Sequence, residues 1–439
     1  MLGLPGENVR YFTKDAAPTN PSVDQLALYA DATTGKLTVV DSNGNGAFDT
    51  DNDSPGWFNV KAYGAQGDAR KVSDAAGVIT GNHVRSETAS FTAADLGKTC
   101  WLVGSNNFPQ LSPANATILA VNSPTDVTVS STVLANSSNG FFTWGTDDTM
   151  AVQAAVTAAK VVSSAYNVTG GPCATVFFPF GGYILNAISA IDGANKISVT
   201  GAGMYDSILY IGPGFPYFNT GAGNVITNAI ELSDFTLDGG NCHLSLGNIA
   251  LVDCATMRRV RIYNWLAAAS ANCTAAVQST DDGIVEDVNI YVTCQALGIH
   301  SLQQSIFRAA LQSTEVALVL ADTSNIRVVN SFISGNPAVQ EGPNSHVTDL
   351  SFSGCKIIGT GSAVNMTKSG SMFRFDMCWL IGNPAFTVPS GMTIYCANST
   401  VIGTSTDAVD NAGDFWDLGG NIFTGAKAGG GTYHTAQFA

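Results

Sequence analysis

Charge is scarce in this chain. Only 12% of its 439 residues are Asp, Glu, Lys or Arg, and 34 acidic residues against 19 basic ones leave a formal net charge of −15. A nucleic-acid-binding protein neutralises phosphates with clustered Lys and Arg. No such run exists here, and the short phrase "MRRVRIY" at 257–263 reads as a solvated outer face, so no nucleic-acid partner is expected. Long apolar runs are also missing, which excludes a membrane-spanning helix by length. The opening residues lack a basic region followed by an apolar signal core. A secreted form would therefore need its leader elsewhere, or release would come by lysis in an assembled particle. The nine cysteines are odd in number and show neither a CxxC pair nor a compact disulfide framework. Seven lie from Cys242 onward, inside strand-like phrases such as "GCKIIG" and "DMCWLIG", where thiols behave as small buried hydrophobes. They are read as core residues of a chain assembled in a reducing cytoplasm, with no cofactor to hold.

Glycine is plentiful, at 46 residues. After residue 190 short alternating or apolar runs succeed one another, among them "FTLDGG", "VEDVNIYVTC", "VTDLSFSGCKIIG" and "MTIYCANSTVIG". Gly335, Gly359, Gly382 and Gly403 close related phrases at separations of 24, 23 and 21. A repeat of this length without helix-length periodicity points to stacked β-coils that bury alternate Val, Ile, Leu and Phe and present the others to solvent. Function should then lie on an outer face.

Ahead of these runs stand two halves of one motif. "NVKAYGAQGDAR" occupies 59–70 and "TDDTMAVQAAV" begins at Thr146, 146 − 68 = 78 positions after Asp68. Thr146, Asp147 or Asp148 can cap a helix whose small apolar face is Val152, Ala155, Val156 and Ala159. "GGPCATVFFPFGGYILNAI" follows at Gly170–Ile188. In this order the phrases resemble the start of the pectate-lyase-like superfamily of right-handed parallel β-helix proteins, especially phage tailspikes and polysaccharide depolymerases. That resemblance implies an all-β, right-handed parallel β-helix solenoid with an N-terminal hairpin region, a capping helix at about 147–162 and an inserted β element at about 71–145. The residues support the insertion independently, since "ATILAVNSPTDVTVSS" and "FFTWG" are β-branched or aromatic runs between polar turns. Its turns are candidates for contact with glycan or a neighbouring subunit.

The expected organisation is 1–55 for attachment or subunit contact, 56–410 for the solenoid with its insertion, and 411–439 for a C-terminal cap or subunit contact. In the first part "LALYADATTGKLTVVDSNGNG" suggests two strands around a turn. "DSNGNGAFDTDN" offers Asp41, Asn43, Asn45 and Asp49 as alternating oxygen ligands with Gly46 at the bend, a pattern that could hold calcium. Asn52 stands where such a loop wants a bidentate Glu, so an Asn-Gly turn is the competing reading.

Glycoside hydrolysis needs a proton donor and a second carboxylate. The densest acidic phrase, "STDDGIVEDVNIYVTCQALGIHS", contains Asp281, Asp282, Glu286 and His300. It resembles the polygalacturonase-like hydrolases, in which a paired-Asp phrase precedes a His phrase on the next coil. The resemblance implies that Asp281 and Asp282 activate water and that His300 supports them. Gly298-Ile299-His300 replaces the Gly-His-Gly of that family, and no Asp occurs in the preceding "RIYNWLAAASANC". Turn or cap roles for both carboxylates therefore stay open. Asp238, from "ELSDFTLDGG", is a further candidate, to act with Asp282 or Glu286 if strand register allows. Tyr263, Trp265 and Tyr291 offer flat faces for sugar rings and Arg261 a positive contact, against core packing as the alternative. By resemblance the partners are host surface polysaccharide, two further copies in a homotrimer and a phage tail or adapter protein, with the chain on a virion tail or outside the cell. A secreted hydrolase or lyase and a non-catalytic adhesin remain the alternatives.

Overall fold

The computed structural model describes residues 14–15, 27–31, 37–40, 46–49, 56–104, 110–112, 114–166, 174–186, 191–192, 197–212, 226–239, 249–265, 277–279, 283–292, 295–299, 304–320, 324–341, 348–366 and 372–435. Near the start, strand Ala27–Asp31 pairs antiparallel with Leu37–Val40, which pairs antiparallel with Gly46–Asp49. The calcium-loop positions Asp41, Asn43, Asn45 and Asn52 lie outside the described residues.

Strand Trp57–Asn59 and the strands from Ala174 onward form a parallel β-solenoid. Most strands hydrogen-bond to the strand three further along, so each coil contributes to three sheets. On the first sheet Val285, Ile306, Val328, Phe352 and Phe375 occupy one inward column. On the second, Ile262, Ile290, Leu311, Ile333 and Ile357 do the same. All are fully buried or nearly so. The strand "MFRFD", Met372–Asp376, shows why these sequences choose this state: its even alternation buries Phe373 and Phe375 and turns Arg374 outward. Burying each such side chain contributes about 1.5–3 kcal/mol. Stacking extends the gain, with Phe352 and Phe375 parallel at 5.0 Å between ring centres.

The repeated glycines end strands of the second sheet. A Cβ on Gly359 would sit 2.0 Å from the Ser362 carbonyl oxygen, and one on Gly403 2.2 Å from that of Asp407. The bend admits no side chain, which accounts for the 21–24-residue glycine repeat. At the opposite corner, between the first and second sheets, one residue per coil is left-handed: Asp234, Arg259, Asp287, Arg308, Asn330, Met377 and Asn398 all have φ between 49° and 64°. Asn and Asp tolerate this conformation better than Arg or Met. The corner amides are satisfied by the next coil, as in Arg308 N–H to Val329 O at 3.0 Å and Asn330 N–H to Ser353 O at 2.9 Å.

Helix Thr149–Tyr166 places Val152, Ala155, Val156 and Ala159 in the solenoid core. Between the motif halves, six antiparallel strands close a small barrel in the order Ala116–Ser123, Asp126–Val129, His83–Arg85, Arg70–Val78, Gly140–Gly145 and Thr99–Val103. Phe91, Phe142 and Trp144 fill it. Beyond residue 411, strands Asp414–Asp417 and Thr432–Thr435 continue the parallel stack. The described cysteines Cys100, Cys355, Cys378 and Cys396 are reduced and buried. No described helix is long and apolar enough to cross a membrane.

Candidate functional site

The distant motif halves meet. Asp68 accepts from Thr146 N–H at 2.8 Å and Thr146 Oγ1 at 3.0 Å, closing the chain around the barrel. Asp147 bonds Thr149 N–H at 3.0 Å, a helix-capping contact. Asp148 turns the other way and accepts from Gln66 N–H at 2.6 Å and Gly67 N–H at 3.3 Å. Burial raises the Asp148 carboxyl to about 6; those two amides act in the opposite sense, and the charges of Asp68 and Asp147 add to the rise.

The barrel docks on the outer face of the second sheet. Trp101 and Val103 from the barrel pack with Ile184 and Tyr210 of the solenoid. Beside them Lys71 reaches both carboxylate oxygens of Asp238, at 3.0 and 2.8 Å, and Asn264 Nδ2 donates to the same carboxylate at 3.0 Å. The Asp238 side chain has no solvent exposure. Lys71 also lies over the Phe141 ring at 5.0 Å and that of Tyr263 at 5.8 Å. Burial, with Asp238 alongside, drives the Tyr263 hydroxyl well above the usual phenol range, so it stays protonated.

Next to this buried pair the sheet turns aromatic and exposed. Strand register puts Asp238, Tyr263 and Tyr291 in one outward column, with Arg261 beside Asn289 in the adjoining one. The Arg261 guanidinium sits 4.3 Å from the Tyr263 ring centre and 5.8 Å from that of Tyr205. Tyr205 is 67% exposed and Tyr291 59%, enough for either face to meet a ligand. The structure thus brings together three of the four residues expected to hold sugar. Trp265 ends the same strand, opposite Val292, and its side chain is not described.

Glu286 stands elsewhere. It lies on the first sheet, between Arg258 at 3.2 Å and Arg308 at 2.6 Å. Asp238 and Glu286 are therefore on different sheets, each held by its own cations. Arg308 also clasps Asp287 at 2.6 and 2.8 Å and, by that bond first, holds its carboxyl below the usual range. With Arg259 bound to Asp234, the first four left-handed corners, Asp234, Arg259, Asp287 and Arg308, alternate in sign from coil to coil. Asp281, Asp282 and His300 lie outside the described residues. Their flanking strands are in register on adjacent coils, with Ser279 opposite Ile299 and Gly283 opposite Gln304.

Lys71 and Asn264 were not indicated by any spacing. Lys71 and Asp238 are 167 residues apart. Among the described residues no three His, Cys, Asp or Glu side chains converge as a metal site.

No family profile and no curated protein matches the chain. Among solved structures, the A-module of the Azotobacter vinelandii mannuronan C-5 epimerase AlgE4 is 14% identical over 67% of this chain and 96% of its own, with a TM-score of 0.38. Tailspike protein 2 of a bacteriophage of Escherichia coli O157:H7 is 12% identical over 96% of this chain and 57% of its own, with a TM-score of 0.41. The endo-xylogalacturonan hydrolase of Aspergillus tubingensis is 12% identical over 66% of this chain and 90% of its own, with a TM-score of 0.30. None of these likenesses assigns a role to a residue. The fold stands on the strand pairing itself, which forms the solenoid that the resemblance to the pectate-lyase-like superfamily implies.

Proposed function

We propose that the chain is a tailspike or related receptor-binding virion protein that holds host surface polysaccharide on the outer face of its second sheet. The observation that carries this reading is the exposed Tyr205 and Tyr291 on either side of the Arg261–Tyr263 stack, two coils before it and one coil after, with Lys71 of the barrel 5.8 Å from the Tyr263 ring centre. Aromatic faces suit the apolar sides of sugar rings, and Arg261 with Asn289 offers directed hydrogen bonds. The cation favours a polymer with acidic units.

Cleavage, where it occurs, is assigned to Asp281 and Asp282 as the groups that activate water, with His300 in support. The registered flanks on successive coils favour this choice over Asp238, which is sealed beneath Lys71, and Glu286, which is held between two arginines. The homotrimer has its own support. Ile358, Ile381 and Ile402 form an outward in-register column near Trp379 and Ile422, which are 48% and 62% exposed. Three copies related by a closed rotation axis would cover such a face.

The test is size-exclusion chromatography with light scattering on mixtures with acidic and neutral bacterial surface polysaccharides. The reading expects a particle of three 45.5 kDa chains that co-elutes with at least one polymer. Tyr291→Ala should weaken that retention by roughly three- to tenfold. If the polymer is shortened, Asp281→Asn and Asp282→Asn should each stop shortening while leaving retention intact. A monomer that retains no polymer would refute the proposal.

A further inference from the structure

The inserted barrel carries a polar cavity of its own, about 560 Å³, lined in part by Asp74, Ala76, Arg85, Glu87, Thr125 and Asp126. It lies on the barrel's own strands and turns and shares no residue with the tyrosine platform on the solenoid.

Its walls are set in advance. Asp126 accepts from His83 Nδ1 at 2.7 Å, Asn122 Nδ2 at 2.9 Å and Arg85 Nε at 2.7 Å. Arg85 is thereby held through Nε, and its terminal Nη groups make no protein hydrogen bond among the described residues. Asp74 accepts from Ser86 Oγ at 2.5 Å, Thr88 Oγ1 at 2.7 Å and Thr88 N–H at 3.0 Å. Burial alone would raise its carboxyl, but these bonds outweigh burial and bring it to about 2, so it is an ionised acceptor at any physiological pH. The cavity thus offers fixed carboxylate acceptors, a guanidinium donor, the Thr125 hydroxyl and no aromatic ring among its lining residues. Three carboxylates against one guanidinium disfavour an anion. No three of its acidic side chains converge as cation ligands. A ring that carries hydroxyl or amino donors and no carboxylate matches these fixed acceptors and the single guanidinium donor.

We propose that this cavity is a second carbohydrate site, which holds a neutral or amino-bearing sugar residue. It is independent of the solenoid face, whose arginine favours acidic units.

Saturation-transfer-difference NMR on the whole chain tests it, with N-acetylglucosamine, glucosamine, methyl α-galactoside and glucuronate as probes. Transfer is expected to at least one of the first three, and any transfer to glucuronate should come from the solenoid face and fall in Tyr291→Ala. Ala76 faces Arg85 across the strand pair, so Ala76→Phe fills the cavity and should weaken binding at least tenfold. Glu87 is exposed, so Glu87→Lys should fold normally, reduce glucosamine binding and admit glucuronate. Tyr291→Ala should leave the signals of the first three probes unchanged, which separates this site from the solenoid face. The inference is overturned if none of the first three probes shows transfer, if glucuronate binds the Tyr291→Ala chain as well as they do, or if Glu87→Lys leaves the preference unaltered. It is likewise overturned if a folded Ala76→Phe variant keeps full binding, or if Tyr291→Ala removes it.

Discussion

Lys71→Ala is expected to destabilise the chain by about 3–5 kcal/mol, because it removes the cation paired with the Asp238 carboxylate in a site without solvent. Asp238 has no side-chain exposure, and Lys71 is the cation that reaches both of its oxygens. The loss should appear where the barrel meets the solenoid, since Lys71 belongs to the barrel strand Arg70–Val78 and Asp238 ends a solenoid strand. Amide exchange should therefore accelerate around Trp101, Ile184 and Tyr210 before the distant coils near Phe375 respond. A companion variant separates the pair's strength from the penalty of breaking it. Lys71→Met with Asp238→Leu replaces both charges by apolar groups of similar size and should recover most of the lost stability. Denaturant unfolding of the two variants provides the check. Equal losses would mean that the pair itself stabilises the junction, and no loss in Lys71→Ala would mean that Lys71 does not hold the Asp238 carboxylate in solution.

How much of this could be read beforehand depends on whether a constraint recurs in every coil. The backbone clash at Gly359 and Gly403 recurs, so the glycines marked the coil length before any coordinates. Alternation in "MFRFD" marked the inward column in the same way. The left-handed corner recurs too, yet it was hidden, because Arg259, Arg308 and Met377 occupy positions at which Asn or Gly would have given a signal. Stacked ion pairs with Asp234 and Asp287 accompany the two arginines, and such pairs depend on neighbours one coil away. The site divides along the same line. Arg261 and Tyr263 share an outward face because they alternate along one strand, and register sets Tyr291 beside Tyr263 on the next coil. Lys71 over Asp238 was not legible, because that contact depends on how an inserted barrel lies on the sheet, and no local pattern encodes it. Asp148 shows the limit of local reading within one motif. Capping chemistry fitted both Asp147 and Asp148, and only the approach of Gln66 and Gly67 decides that Asp147 caps while Asp148 holds the other half of the motif.

That division of labour makes Asp148 a source of pH dependence. Its carboxyl titrates at about 6 in the folded chain, against an ordinary value of 3.8. Burial is the main cause, so the folded state holds the proton more tightly than the unfolded one. Stability from this group is fully present below pH 3.8 and is lost as pH rises through 6. A shift of roughly two units corresponds to about 3 kcal/mol across that window. Asp148→Asn keeps an oxygen for Gln66 N–H and removes the titration, though its amide nitrogen meets Gly67 N–H poorly. The variant should therefore be less stable than the parent at pH 4, should gain on it as pH rises through 6, and should hold a constant difference by pH 7.5. Paired denaturant unfolding at intervals across this range measures the difference, and comparison with the variant removes the titrations common to both chains. A difference independent of pH would mean that Asp148 is ionised throughout, its charge held by the Gln66 and Gly67 amides despite burial. The expected slope would instead mean that the joint between the motif halves tightens as the medium acidifies. Because Asp68 and Thr146 close the same joint, the barrel and the sugar-facing sheet beside it should be held more firmly at pH 5 than at pH 7.5.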